Sequence, residues 1–85
     1  MELRHLRHFC VLADELHFGR AASRLAISQP PLSISIRQLE DELGARLFER
    51  SNKQVRLTPA GAAFLVEAQQ ILAQTVQARE LVGRI

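Results

Sequence analysis

The prolines of this 85-residue chain stand in two places, each shortly after a hydroxyl residue: Ser28-Gln29-Pro30-Pro31 and Thr58-Pro59. Proline has no N–H and is excluded from a helix interior, but the first turn tolerates it because the N–H groups there lack partners anyway. Serine and threonine are favoured caps just before that turn. The prolines therefore predict that one helix starts after Ser28 and another after Thr58.

Two helices are predicted ahead of Ser28 from the spacing of apolar residues. These residues recur at three- and four-residue steps from about Glu2 to Leu16, which is the pattern of one buried helix stripe. The stripe consists of Leu3, Leu6, Phe9, Cys10, Ala13 and Leu16. The same spacing predicts a second, short helix from Phe18 to about Ala26.

The segment after Ser28 predicts a third helix, a hairpin and a long helix. The buried stripe of the third helix consists of Leu32, Ile36, Leu39 and Leu43. Gly44 suits the stop position of that helix. Two short strands, at 47–50 and 55–57, flank a polar turn. No proline interrupts the chain from residue 60 to its end, so a helix of ~25 residues, about 38 Å long, is predicted there.

This order of elements predicts a mainly α fold: a winged helix-turn-helix of three helices plus a two-stranded wing, followed by a long dimerisation linker helix. We expect the winged helix-turn-helix to span residues 1–58, with the helix-turn-helix at 18–37 and the wing at 46–57. The linker helix then spans residues 59–85.

Composition excludes several other classes of protein. A single cysteine rules out an internal disulfide framework, and no apolar run approaches the ~18 residues that span a bilayer. Because the N-terminus is no signal peptide either, we expect a cytoplasmic protein without a membrane partner. Glycine-rich phosphate loops, paired cysteine ligands and a Gly-x-Ser-x-Gly motif are absent, so neither an enzyme nor a cofactor is expected. His5 and His8 share a helix face without a third ligand at metal spacing, so no metal site is expected, and Cys10 is predicted to be a core residue.

The net charge is only +2, but its distribution is uneven. Between residues 16 and 39 the only charged residues are Arg20, Arg24 and Arg37. Between residues 46 and 56 there are four bases and one acid, Glu49. A basic zone inside a nearly neutral chain is typical of a surface that faces a polyanion. A solvated cationic face explains the charge pattern equally well.

The third predicted helix has the side chains that a DNA-reading helix needs. In a helix-turn-helix, the second helix of the pair lies in the major groove and its N-terminal residues meet base edges. The side chains predicted to project outward are Pro30, Ser33, Ile34, Arg37, Gln38 and Asp41, with Gln29 at the open end. Glutamine can pair with adenine and serine can donate or accept a hydrogen bond. The alternative is an ordinary surface helix with a capped start.

The hairpin tip and the long helix suggest two further contacts. Arg50 and Lys53 lie at the tip, with Ser51 and Asn52 between them, and such a tip suits phosphates or a minor groove; a solvated turn is the alternative. In the long helix an apolar seam with heptad spacing predicts a partner chain. The predicted interface consists of Phe64, Leu65, Ala68, Ile71, Leu72, Thr75, Val76, Ala78, Val82 and Ile85. The alternative is that this helix packs entirely on the first helix of its own chain.

Several segments together resemble the LysR-type transcriptional regulators. The residues that carry the resemblance are Phe18, Ala21-Ala22, Leu25, Ser28-Gln29-Pro30-Pro31-Leu32-Ser33, Leu39-Glu40, Leu43-Gly44, Leu47-Phe48-Glu49-Arg50 and Leu57-Thr58-Pro59-Ala60-Gly61. The match runs without a gap from about Leu3 to Gly61, in the N-terminal DNA-binding domain of that family.

The resemblance implies a bacterial regulator that binds an interrupted palindromic promoter site in double-stranded DNA, as a dimer or as paired dimers. It implies a homodimer through the linker helix, a tetramer in the full-length protein, and RNA polymerase as a candidate partner. Carried over by position, the major-groove set is Gln29, Pro30, Pro31, Ser33, Ile34 and Arg37. The set for phosphates or the wing is His17, Phe18, Arg20, Ser28, Arg50, Ser51, Asn52 and Lys53.

The chain departs from the family at one point. Family members often have arginine and then glutamine after the serine at position 33, where this chain has Ile34 and Ser35. This replaces a hydrogen bond to DNA by an apolar contact, and Arg37, one turn on, is the candidate to supply the charge. Family members are also about three times longer and carry an effector-binding domain, which we expect to be absent from this chain. A protein-interaction module that covers Ile34 and the third helix remains the alternative function.

Overall fold

The computed structural model describes all 85 residues and contains four helices and one hairpin. The helices are α1 (Leu3–Glu15), α2 (Phe18–Arg24), α3 (Gln29–Leu43) and α4 (Pro59–Gly83). The strands β1 (Phe48–Arg50) and β2 (Val55–Leu57) lie between α3 and α4 and pair antiparallel, with Phe48 opposite Leu57 and Arg50 opposite Val55. The predicted fold class, a winged helix-turn-helix followed by a long helix, is confirmed.

Both helix starts predicted from the prolines are present. Ser28 is the N-cap of α3 and Thr58 the N-cap of α4, with prolines in the first turns. The Thr58 hydroxyl accepts a hydrogen bond from the Gly61 N–H at 2.9 Å and donates one to the Arg46 carbonyl at 2.6 Å, which joins the start of α4 to the wing. Gly44 ends α3 with a φ of 68°, which confirms the predicted stop.

The centre of the core is Phe9 on α1. Its ring centroid lies 5.5 Å from that of Phe48 in β1 and 5.2 Å from that of Phe64 in α4. Around these rings, all four helices and the start of the wing contribute buried side chains. The wing and the start of α4 are therefore fixed by the same core that holds the three shorter helices.

Three parts of the predicted stripes are wrong. Leu3 and Leu16 are 43% and 41% exposed at the two ends of α1, while Leu12, which the stripe omits, is fully buried. Leu43 is 39% exposed at the end of α3. Residues at either end of a helix extend beyond the elements packed against its middle, so continuing a stripe to the helix ends overestimates burial.

Helix α2 is shorter than predicted. It ends at Arg24, and Ala26 adopts a left-handed backbone with a φ of 56°. The N–H of Ile27 donates to the carbonyl of Ala22 at 3.0 Å and so closes the turn. The chain thereby reverses towards α3 without a glycine at the left-handed position.

Candidate nucleic-acid interface

The first turn of α3 carries three exposed residues, Gln29, Pro30 and Pro31. Ser28 caps the helix by its backbone position, but its hydroxyl makes no capping hydrogen bond. The N–H groups and the positive dipole end of this helix therefore lie beside an unbonded hydroxyl, an arrangement that suits an anionic oxygen.

The outer face of α3 continues this surface along the helix. Ile34 is 52% exposed, and Arg37, Gln38 and Asp41 are exposed, while Ser33 is half-buried. The opposite side of the helix buries Leu32, Ile36 and Leu39, as predicted. The predicted outward orientation of this face is thus present in the structure.

The starts of α2 and α3 meet at Gly19. His17 is the N-cap of α2, and its Nδ1 accepts a hydrogen bond from the Arg20 N–H at 3.0 Å. A Cβ on Gly19 would lie 3.0 Å from the His17 Cε1 and 3.5 Å from the Gln29 Nε2. The structure therefore brings His17 and Gln29 together, and the space between them admits little more than a glycine.

The Arg50 side chain fills the junction of the wing with α2 and α3. Its guanidinium carbon lies 4.8 Å from the centre of the Phe18 ring, a cation–π contact. Its Nη2 lies 3.8 Å from the Glu40 Oε1, and the side chain is 32% exposed. Arg50 is thus held between the two helices rather than extended at the hairpin tip, and Phe18 orients it.

Glu40 is a site residue that the sequence analysis missed. Its side chain is 9% exposed, and its Oε2 accepts hydrogen bonds from the N–H groups of Leu47 at 2.8 Å and Phe48 at 3.3 Å. The N–H groups that lead into β1 are therefore bound to α3. The four-residue series from Leu32 through Ile36 to position 40 was a signal for its burial, but a charged residue is rarely interpreted as a core position.

A cleft of about 620 Å³ lies between the end of α3 and the wing. Its lining includes the arginines Arg37, Arg46 and Arg50, together with the acids Glu40 and Asp41. Three guanidinium groups around two carboxylates give this cleft a net positive charge. The cleft is therefore suited to anionic groups.

The hairpin tip is organised by Ser51. Its hydroxyl accepts from the Gln54 N–H at 3.2 Å and from the Lys53 N–H at 3.4 Å, and its own N–H donates to the Gln54 carbonyl at 2.9 Å. Asn52 and Lys53 are exposed at the tip. Ser51 therefore shapes the turn, and its neighbours extend into solvent.

Ion pairs divide the basic zone into two groups. The guanidinium of Arg24 lies 2.6 Å from Asp14 and 2.9 Å from Glu15, and Arg20 lies 3.3 Å from Glu15. The hydrogen bonds that Arg24 donates to Glu15 and Asp14 raise its pKa. The count of charged residues between 16 and 39 did not include these two acids, because both lie at the end of α1. Arg37, Lys53 and Arg56 form no ion pair, so the uncompensated charge of this zone lies on α3 and the wing.

The predicted interface on α4 divides into an inner and an outer part. Ala68 is fully buried in the chain's own core, so its inclusion in a partner interface is wrong: it has no surface left for a partner. Phe64, Leu65 and Leu72 are half-buried against the same core. The Thr75 hydroxyl donates to the Leu72 carbonyl at 2.7 Å and remains on its own helix.

The outer part of the α4 face is open. The exposed residues of the predicted interface are Ile71 (37%), Val76 (51%), Ala78, Val82 (71%) and Ile85 (101%). The first turns of α4 thus pack on their own chain and the later turns do not, so the alternative that this helix packs entirely on α1 is wrong. Because Phe64 and Ala68 belong to the core, the compact unit extends past the predicted boundary at residue 58.

A polar contact between α1 and α3 lies behind the exposed surface. The His8 Nδ1 and the hydroxyl of buried Ser35 are 2.9 Å apart. Burial, followed by the charges of His5, Arg7 and Arg4, lowers the pKa of His8. Burial also raises the pKa of the half-buried Cys10 thiol, which packs beside the core.

This geometry defines the class of the protein, which is a DNA-binding helix-turn-helix domain with a wing and an exposed cationic face. The model of the bacterial regulatory helix-turn-helix proteins of the lysR family matches residues 3–62. The chain belongs to the LysR family. No helix in it combines the length and the apolarity needed to cross a membrane.

Relatives and solved structures agree with this membership. The chain is 54% identical over 85 residues to YnfL of Escherichia coli (strain K12), an uncharacterized HTH-type transcriptional regulator. This alignment includes 100% of the present chain but only 29% of the length of YnfL. It superposes on the BenM DNA-binding domain in a complex with catB site 1 DNA (TM-score 0.95, 45% identity, 100% and 94% of the two chains). The CbnR DNA-binding domain in complex with DNA is equally similar (TM-score 0.95, 38% identity, 99% and 97%).

Proposed function

We propose that this domain binds double-stranded promoter DNA in a sequence-specific manner, as the DNA-binding part of a bacterial LysR-type regulator, without catalysis and in the cytoplasm. The observation that carries the proposal is the outer surface of α3, where Gln29, Ile34 and Arg37 are all exposed and Arg37 makes no ion pair. The DNA complexes of BenM and CbnR support it.

In this proposal α3 lies in the major groove and the wing follows the DNA backbone. Gln29, Pro30, Pro31, Ser33, Ile34 and Arg37 contact bases or the adjacent backbone. His17, Phe18, Arg20, Ser28, Arg50, Ser51, Asn52 and Lys53 contact phosphates or place the wing, with Phe18 acting through the guanidinium it orients. The roles of Arg20 and Arg50 require that each shares its guanidinium between an acid and a phosphate.

The exposed half of α4 supports pairing of two chains. Five large apolar residues of α4 are exposed, from Val66 to Val82, and Ile85 follows just beyond the helix; a helix with such a face is stable in water only when another surface covers it. We therefore infer a homodimer through α4 that binds two half-sites of an interrupted palindrome. The chain spans 29% of the length of its E. coli relative. We infer that the full-length protein is a tetramer that carries an effector-binding domain and contacts RNA polymerase.

The test measures the affinity for a selected palindromic duplex against salt concentration. A dimer that makes six to ten phosphate contacts loses about 10³- to 10⁵-fold in affinity between 50 and 200 mM salt. Gln29→Ala should cost about 1–3 kcal/mol and relax the preference at one base pair, whereas Lys53→Ala should weaken all sequences alike. Arg84→Ala, which removes one positive charge at the far end of α4, is the control.

Two results would contradict the proposal. A salt-independent affinity would exclude phosphate contacts, and unchanged specificity in Gln29→Ala would exclude this placement of α3. An interaction module, the alternative function, predicts no DNA binding at all and a protein that occupies the outer face of α3.

A further inference from the structure

Ile34 is the one large apolar side chain that is exposed on the outer face of α3. It is 52% exposed, and its neighbours one turn away are Pro30 on one side and Arg37 and Gln38 on the other. The side of α3 that faces the core is already filled by Leu32, Ile36 and Leu39, each fully buried. Ile34 therefore contributes little to the packing of its own chain.

The isolation of Ile34 separates it from the other exposed apolar residues. Five of these lie on α4 and Ile85 follows it, and Met1, Leu3, Leu16 and Leu43 lie at the chain start or at helix ends. No second large apolar residue is exposed on the outer face of α3 or on the wing. Pro30 and Pro31, one turn before Ile34, are exposed as well, but a protein partner needs a contiguous apolar patch of several hundred Å², which these three side chains do not form.

The chemistry of the major groove offers one partner for such a side chain. Its base edges present hydrogen-bond donors and acceptors, and the only apolar group among them is the C5-methyl of thymine. Ile34 also lies one turn from the first turn of α3, where a helix-turn-helix reads bases. We propose that Ile34 contacts the 5-methyl group of a thymine and is a specificity-determining residue that selects one T·A pair in each half-site; this rests on the proposed function.

The Ile34 side chain is conformationally preorganised for this contact. Isoleucine in a helix has one strongly preferred χ1 rotamer, so little side-chain freedom is lost when the methyl group packs against it. The polar neighbours Ser33 and Arg37 remain available for hydrogen bonds to adjacent base edges or phosphates. Ile34 then adds selectivity for a methyl group to a surface that otherwise selects by hydrogen bonds.

The experiment removes the methyl group from the DNA and the isoleucine from the protein. Binding duplexes are first selected from a random pool with the unaltered chain. Each thymine of the selected site is then replaced by uracil, which lacks the 5-methyl group but keeps the pairing edge. Burial of one methyl group predicts an affinity loss of about fourfold at one thymine per half-site, and about 15-fold when both are replaced.

Protein variants identify the side chain responsible. Ile34→Ala should bind the thymine and uracil duplexes equally, because the partner of the methyl group is gone. Ser33→Ala, the control on the same face, should keep the difference. Ile34 is exposed, so Ile34→Ala should unfold at the same temperature as the unaltered chain, and that measurement is made alongside.

The outcomes separate the two proposals. If the unaltered chain enriches no duplex, the proposed DNA binding fails. If it enriches a site but no thymine shows a methyl effect, or the effect persists in Ile34→Ala, then only the role of Ile34 is overturned. Equal affinity of Ile34→Ala for both duplexes, with the difference kept in Ser33→Ala, supports it.

Discussion

Replacement of Glu40 by alanine should destabilise this domain more than replacement of any exposed acid. The carboxylate is buried between α3 and the wing, where it accepts the N–H groups of Leu47 at 2.8 Å and Phe48 at 3.3 Å. Both residues are buried, at 1% and 0% exposure. Without the carboxylate, neither N–H has another acceptor.

The expected cost follows from these two bonds. A buried donor that loses its acceptor costs about 1–3 kcal/mol, and the longer bond to Phe48 belongs at the lower end of that range. The ion pairs of Glu40 with Arg46 and Arg50 are both 3.8 Å long and partly exposed, so they add little. We therefore expect Glu40→Ala to lower the free energy of unfolding by about 2–4 kcal/mol.

Urea unfolding followed by circular dichroism, at one fixed protein concentration, measures this change. Glu42→Ala is the matched control, because Glu42 lies on the same helix and makes an exposed ion pair of 2.9 Å with the α-amino group of Met1. Its loss should cost about 0–1 kcal/mol. Glu40→Gln keeps an acceptor oxygen but no charge, so it should lie between the two.

The reasoning fails if Glu40→Ala and Glu42→Ala unfold at the same urea concentration. Such a result would mean that water replaces the carboxylate as the acceptor for both N–H groups. A full loss in Glu40→Gln would be equally informative, because it would move the stabilisation from the hydrogen bonds to the ion pairs.

Three further changes test other parts of the fold. A Cβ on Gly61 would clash with the Leu47 carbonyl oxygen, whereas one on Gly83 meets nothing within 4 Å; in thermal unfolding Gly61→Ala should therefore cost about 3 kcal/mol or more, and similar Tm values for the two alanine variants would contradict this. The pKa of His8 is lowered from 6.5, so the unfolded chain binds the proton more tightly; the stabilisation from neutral His8 is present above pH 6.5 and is lost as the pH falls through the lower folded value. Between pH 7.5 and 5.5 the unaltered chain should thus lose more unfolding free energy than His8→Asn, which keeps a polar atom near the position of Nδ1, and parallel curves would refute this. The left-handed backbone of Ala26 predicts that Ala26→Gly gains about 0.5–1 kcal/mol, the relief of strain less the extra freedom of glycine in the unfolded chain, and a measured loss of stability would contradict it.

The backbone of the fold was predictable because its signals are local. A proline in a first turn, a cap residue and a glycine at a left-handed position act within a few residues, and Ser28, Gly44 and Thr58 all have the predicted places. The regular spacing of Leu32, Ile36 and Leu39 needs no knowledge of what packs against them.

The polar interior was not predictable because its partners are distant in sequence. Glu40 is bound seven and eight residues away, and Ser35 meets His8 across 27 residues. Arg24 was counted as free charge because its acids lie ten and nine residues earlier, on another helix. The burial of Ala68 likewise depends on where α1 crosses α4, which no periodicity in α4 reveals.

Because α4 is continuous, a small rotation of this helix about its buried part moves its exposed end over a distance of several ångströms. The helix is anchored in the core at Ala68 and continues to Gly83, with no internal proline and no glycine between Gly61 and Gly83. The part of α4 beyond Ala68 is ~22 Å long, so a tilt of about 9° moves its end by about 3.4 Å, the rise of one DNA base pair. A small change of angle at the exposed end of α4 is therefore large enough to change the register between α3 and a duplex.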